Sequence, residues 1–223
     1  MKIAFSEIST VAAPFAEDVA AYRAAGFDGI GIWEFKLPEG DDAASARLVR
    51  ESGLGVANCI PAIPTFLQLA QAGMEGPADP AERLAALCAS MTRLARFEPA
   101  SIVVLTGPVG DRSEEDARAI VCEGLREVAA AARAAGVRVG LEPTHLSESH
   151  VTSFISTIGE AIALRDEAGV DDVGVMVDTV HVWDTPALAQ EIELHAARVT
   201  GFHAGDKAAA RSEETRLNSS HSS

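Results

Sequence analysis

The sequence is short of cysteine, of long apolar runs and of clustered basic residues, and each shortage removes a class of protein. Its three cysteines, Cys59, Cys88 and Cys122, are scattered without metal-ligand spacing. They read as small hydrophobes of a reducing compartment rather than as a disulfide frame. No stretch approaches the ~18 apolar residues of a membrane span, and the N-terminal "MKIAFSEIST" lacks the apolar core of a signal peptide, so a cytoplasmic protein is expected. The formal net charge is −15. With no Lys/Arg run set against that excess, nucleic acid and anionic membranes are excluded as expected partners. Neither G-x-G-x-x-G nor G-x-x-x-x-G-K occurs between a strand and a helix, which removes the phosphate-cradling loops of nucleotide binders.

What is present is a repeated unit. "RAAGFDGIGIW", "RESGLGVANCI", "RAAGVRVGLEP" and "DEAGVDDVGVMVD" each run from a helical tail through a glycine into an apolar strand. Gly26, Gly53, Gly136 and Gly169 sit where a helix ends in a left-handed residue. Seven strands are expected, around Ile3–Ser6, Gly29–Trp33, Gly55–Cys59, Ile102–Leu105, Val137–Leu141, Val173–Val177 and Val199–His203. Between them Phe15, Val19 and Tyr22, and again Val121, Leu125 and Val128, recur at helical spacing. Ser113 with Asp116, and Thr157 with Glu160, have the spacing of capping boxes. Strands alternating with helices imply a parallel sheet. Without a phosphate loop, a closed (β/α)8 TIM-barrel type is favoured over an open doubly wound sheet.

Barrels of this kind carry their chemistry at the C-terminal strand ends. Those ends hold Glu34, Glu142 with His145, Asp178 with His181, and His203 with Asp206. Strands five, six and seven thus end in a carboxylate or an imidazole. Converging on one mouth, Glu142, Asp178 and His203 would repel or titrate unless a divalent cation neutralises them. Mixed oxygen and nitrogen donors suit Mn²⁺, Mg²⁺, Co²⁺ or Zn²⁺. Plainer roles remain open: Asp178 as the N-cap of a following turn, Glu142 as a loop carboxylate capping the next helix, His203 as a core histidine, and Trp33 and Phe66 as core packing or pocket lining. His150 and His195 fall off the strand ends and read as surface residues.

"GLEPTH", "VDTVHVWDTP" and "GFHAGD", with "GFDGIGIWEFKL" upstream, resemble the xylose isomerase-like TIM barrel family of sugar (phosphate) isomerases and epimerases, from Met1 to about Asp206. The resemblance implies that Glu142, Asp178 and His203 bind a divalent metal and that His181 contacts a substrate oxygen. Glu142 doubles as a catalytic acid/base, and His145, Trp33 and Asp206 are expected on the substrate side. The substrate implied is a sugar, sugar phosphate or related polyol, isomerised or epimerised through an enediolate. Two alternatives stay open, an inosose-type dehydratase and a non-catalytic remnant. The family's eighth-strand Glu has no counterpart here. Residues 1–206 are therefore expected to form a barrel domain truncated after strand seven, with 207–223, including "TRLNSSHSS", as an irregular tail.

Overall fold

The computed structural model describes residues 1–71 and 74–205. Seven strands appear: β1 Ala4–Ser6, β2 Gly29–Trp33, β3 Gly55–Ile60, β4 Ile102–Val104, β5 Val139–Leu141, β6 Val173–Asp178 and β7 Val199–His203. They form one parallel sheet in sequential order, with β1 and β7 at its edges. Helices α1 Phe15–Ala24, α2 Asp42–Ser52, α3 Pro80–Leu94, α4 Glu114–Ala135 and α5 Ile158–Ala168 alternate with the strands, and the one-turn α6 Thr179–Val182 and α7 Leu188–His195 precede β7. This is the α/β, TIM-barrel-type fold expected. The bounds differ by one or two residues, most at β5, which begins at Val139 rather than Val137. No described helix is long and apolar enough to cross a membrane.

Local signals were obeyed where they were local. Gly26, Gly53, Gly136 and Gly169 all have positive φ, from 71° to 83°. Thr157 and Glu160 complete a reciprocal capping box at α5. Ser113 caps α4 through the Asp116 N–H, but Asp116 does not return the bond to the backbone; Ser113 Oγ donates to its carboxylate instead. An aspartate is one methylene shorter than the glutamate that normally reaches back.

Two cores follow from the pleat. Ile30, Ile32, Cys59, Ile102, Val104, Leu141, Val175 and Val177 face the helices and join Phe15, Val19, Val121, Leu125 and Val128 there. Ile60, Val103, Met176 and the partly buried Trp33 meet on the other side, inside the curl of the sheet. Cys59 and Cys122 are buried and Cys88 is partly so, all as free thiols. The curl is severe. In a flat sheet, strands four positions apart lie roughly 19 Å from each other. Asn58 of β3 and His203 of β7 nevertheless stand 2.8 Å apart.

Two irregularities decide which residues look inward. β3 pairs Val56 with Ile30 and Asn58 with Gly31, leaving Ala57 unpaired. β7 pairs Val199 with Val175 and Gly201 with Met176, leaving Thr200 unpaired. Each extra residue shifts strand parity by one, and such a slip exchanges the faces of everything downstream. The strands then deliver Asn58 and His203 to the interior. Glycine opposite the second bulge makes room for it: a Cβ at Gly174 would lie 2.3 Å from Thr200 Cγ2 and 2.5 Å from the Arg198 carbonyl oxygen.

Candidate metal centre

β5, β6 and β7 are adjacent, so residues at the same height on their inner faces become neighbours. Glu142 follows β5 directly, its N–H donating to the Val104 carbonyl at 2.9 Å. Asp178 ends β6 and is in register with His203 at the end of β7. His203 Nδ1 lies 3.2 Å from Glu142 Oε1 and 3.6 Å from Asp178 Oδ2. The ligand atoms of the three all fall within 4.8 Å of one another. Donors bound at ~2.1 Å, with angles of 90–110°, are about 3.0–3.4 Å apart. The 3.2 Å distance falls within that range and the 3.6 Å distance just above it, and the donor set of two carboxylates and one imidazole fits a divalent cation.

Asp178 caps the turn that follows β6 and also turns toward His203. Its Oδ1 accepts from the Val180 N–H at 2.8 Å, capping α6, while Oδ2 faces His203. The cap orients the carboxylate, leaving the second oxygen for the centre. Glu142 is buried, and His203 and Asp178 are half-buried. Burial by itself would lower the His203 pKa, but the Asp178 and Glu142 carboxylates outweigh it and push the ring up to about 10. For Asp178 burial works upward, and is overcome by His203, the Val180 N–H and the charge of His181, so its carboxyl sits below the usual range. A divalent cation held here would compete with a proton for His203 Nδ1.

The remaining expected residues divide. His145 and His181 lie together beside the centre, outside the three-ligand cluster. The His145 N–H points to His181 Nδ1 at 3.3 Å. The His145 ring is fixed by Ser147 Oγ at 2.7 Å and Asp184 Oδ2 at 3.0 Å, and stacks on Trp183 with centroids 6.0 Å apart. Trp33 ends β2 inside the curl, its indole N–H donating to Ser6 Oγ at 3.2 Å. Asp206 and the 207–223 tail lie outside the described residues. Glu34 is held by neighbours outside the cluster: it accepts from the Ala62 N–H at 2.8 Å and Ser90 Oγ at 2.6 Å and pairs with Arg93 at 3.3 Å, tying the end of β2 to the segment after β3 and to α3. Phe66 is core, pressed against Gly124, where a Cβ would lie 2.4 Å from its ring. His150 is exposed as expected, but His195 is half-buried, with Nδ1 enclosed.

Two inward polar residues escaped the sequence reading. Glu7, fully buried just past β1, accepts from the Trp33 N–H at 2.9 Å and lies 3.8 Å from Lys36 Nζ, which also pairs with Asp18. Burial pushes its pKa up to about 7, against the pull of the Trp33 N–H and Lys36. Asn58, in the otherwise apolar "GVANCI", touches His203. Its signal was a residue type that strands disfavour.

A model of the xylose isomerase-like TIM barrel family matches residues 19–221. The chain belongs to that family. Among solved structures, the xylose isomerase-like fold recurs in 3-keto-D-glucoside 4-epimerase from E. coli, 21% identical, with TM-score 0.70 over 86% of this chain and 74% of that one. It recurs in an AP endonuclease, family 2, from Brucella melitensis, 18% identical, with TM-score 0.74 over 92% and 80%. The IOLI protein, whose structure carries a zinc atom, is 17% identical, with TM-score 0.71 over 92% and 73%. These likenesses establish the shared fold. No match was found among curated protein sequences.

Proposed function

We propose that this member of the xylose isomerase-like family is a divalent-metal-dependent isomerase or epimerase of a sugar, sugar phosphate or related polyol. The observation that carries the reading is the convergence of Glu142, Asp178 and His203 at one end of three adjacent strands, with donor spacings suited to one cation. Family membership and the epimerase and zinc-bearing relatives support it. The domain is taken as residues 1–206.

Glu142, Asp178 and His203 would hold the ion, which when bound supplies Lewis-acid polarisation of the sugar carbonyl and hydroxyl. Glu142 has two oxygens; with Oε1 on the His203 side, the other is the base that takes the proton from the carbon beside the carbonyl. The electron pair left behind gives an enediolate. Glu142 can return its proton to the neighbouring carbon, with the hydroxyl proton passing between the two oxygens, which isomerises; epimerisation needs a second acid that delivers a proton to the opposite face of the same carbon. His181 serves as a hydrogen-bond partner for a substrate oxygen, a role supported by the contact of its Nδ1 with the His145 N–H. His145 and Trp33 complete the substrate side, and Asp206, outside the described residues, is assigned to it from the resemblance alone. The AP endonuclease shares the fold, but a net charge of −15 opposes approach to a polyanion.

The test is metal uptake by chelator-stripped chain. One equivalent of Mn²⁺, Co²⁺ or Zn²⁺ should bind, and Asp178→Ala should abolish binding. The loaded protein should exchange a C–H proton of its substrate with D₂O across a panel of ketoses, aldoses and inososes. Undiminished binding by the variant removes Asp178 from the ligand set. Elimination of water instead of exchange would replace the isomerase with a dehydratase.

A further inference from the structure

His203 presents Nδ1 to the two carboxylates, 3.2 Å from Glu142 and 3.6 Å from Asp178. Its other ring nitrogen, Nε2, lies 2.8 Å from the side-chain amide of Asn58. Asn58 is buried, four strands away in the sheet, and faces inward only because Ala57 is bulged out of the β3 ladder. His203 faces inward only because Thr200 is bulged in β7. Gly31, beside Asn58 in register, leaves the space that the amide occupies: a Cβ there would stand 3.1 Å from Asn58 Oδ1. Among the described residues, Asn58 Oδ1 is enclosed and meets no hydrogen-bond partner. A polar side chain buried so completely, in a strand otherwise apolar, is costly unless it is used.

A neutral imidazole carries one proton. If Nδ1 donates its lone pair to a cation, that proton sits on Nε2 and needs an acceptor. The amide nitrogen cannot accept; the amide oxygen can, and a half-turn about the terminal bond of Asn58 exchanges the two. Resting on the metal-site reading above, we propose that Asn58 is a positioning residue for the metal ligand His203: its Oδ1 accepts from Nε2–H, fixing the tautomer and the plane of the ring so that Nδ1 addresses the ion. Partners of this kind raise the basicity of the ligand, and their loss typically weakens metal affinity 10–100-fold. The contact also joins β3 to β7 across the curl, so it holds the imidazole against displacement from the far side of the mouth. Asn58 touches neither substrate nor ion. Its influence passes through His203.

The experiment compares Zn²⁺ and Co²⁺ affinities of the chelator-stripped full chain by calorimetry for the unsubstituted protein, Asn58→Ala and Asn58→Asp. Asn58→Ala should bind about 10–100-fold more weakly. Asn58→Asp, whose carboxylate is a stronger acceptor in the same place, should bind at least as tightly as the unsubstituted chain. That rescue is a result which mere space-filling would not produce. Binding by Asn58→Ala within about twofold of the unsubstituted protein, or an Asn58→Asp variant as weak as Asn58→Ala, overturns the assignment. Should the substitutions prevent folding, NMR of the unsubstituted chain decides. The loaded protein should show His203 with a slowly exchanging proton on Nε2 and a shifted Asn58 side-chain carbonyl carbon; a bare or freely exchanging Nε2 overturns it. An unsubstituted chain that takes up no metal refutes the proposed function, and this role with it. Uptake that is indifferent to Asn58 refutes only the role of Asn58.

Discussion

Glu7→Gln should flatten the pH dependence of stability between pH 5 and 8. Glu7 is fully buried, and its pKa stands at about 7 against an ordinary 4.5 because burial penalises the carboxylate. The pKa is raised on folding, so the group favours the folded state most below pH 4.5, and that advantage is lost as pH climbs through 7. With these two values, linkage gives a cost of about 1 kcal/mol at pH 5 and about 3 kcal/mol at pH 8 relative to the protonated acid. The difference, about 2 kcal/mol, is large beside the usual 5–15 kcal/mol of a domain. A glutamine carries no charge to bury and can still accept from the Trp33 N–H where Glu7 Oε2 does. It forfeits the attraction to Lys36 at 3.8 Å, but Lys36 keeps Asp18 and the Thr10 carbonyl. Urea unfolding of both proteins at pH 5 and pH 8 is the assay, and subtracting one from the other cancels the titrating groups that are not coupled to Glu7. The stability of the variant relative to the parent should rise by about 2 kcal/mol from pH 5 to pH 8. A relative stability that is equal at the two pH values would refute the burial argument.

Gly174→Ala would place a methyl 2.5 Å from the Arg198 carbonyl oxygen, and backbone cannot swing away as a side chain can. About 1–3 kcal/mol of destabilisation is expected in a thermal melt, with weakened metal uptake as β7 is pushed off β6. Gly201→Ala meets the flexible end of Met176 at 2.5 Å and should cost visibly less; equal costs would count against the explanation. Thr157→Ala removes half of a reciprocal capping box at α5 and should cost about 1 kcal/mol by urea unfolding.

The repeated helix–glycine–strand units were legible because each depends on neighbours in sequence. A left-handed C-terminal glycine, an apolar run and a capping threonine need no partner from elsewhere. Glu142, Asp178 and His203 were legible for a related reason: strand ends on one edge of a parallel sheet are brought together by topology alone, and charged residues there stand out from the apolar strands. Glu34 looked equivalent in the sequence, yet Ala62, Ser90 and Arg93 claim it. Only folding brings those three to it. The position of Asp178 allows either a cap or a ligand donor, and tertiary structure gives Oδ1 to the cap and turns Oδ2 toward His203. Asn58 meets a partner 145 positions along the chain, and that meeting depends on two one-residue bulges which no local pattern announces. Side-chain direction in a strand alternates with period two, so a single extra residue reverses it. Such register is set by pairing between strands, and pairing exists only in the assembled sheet.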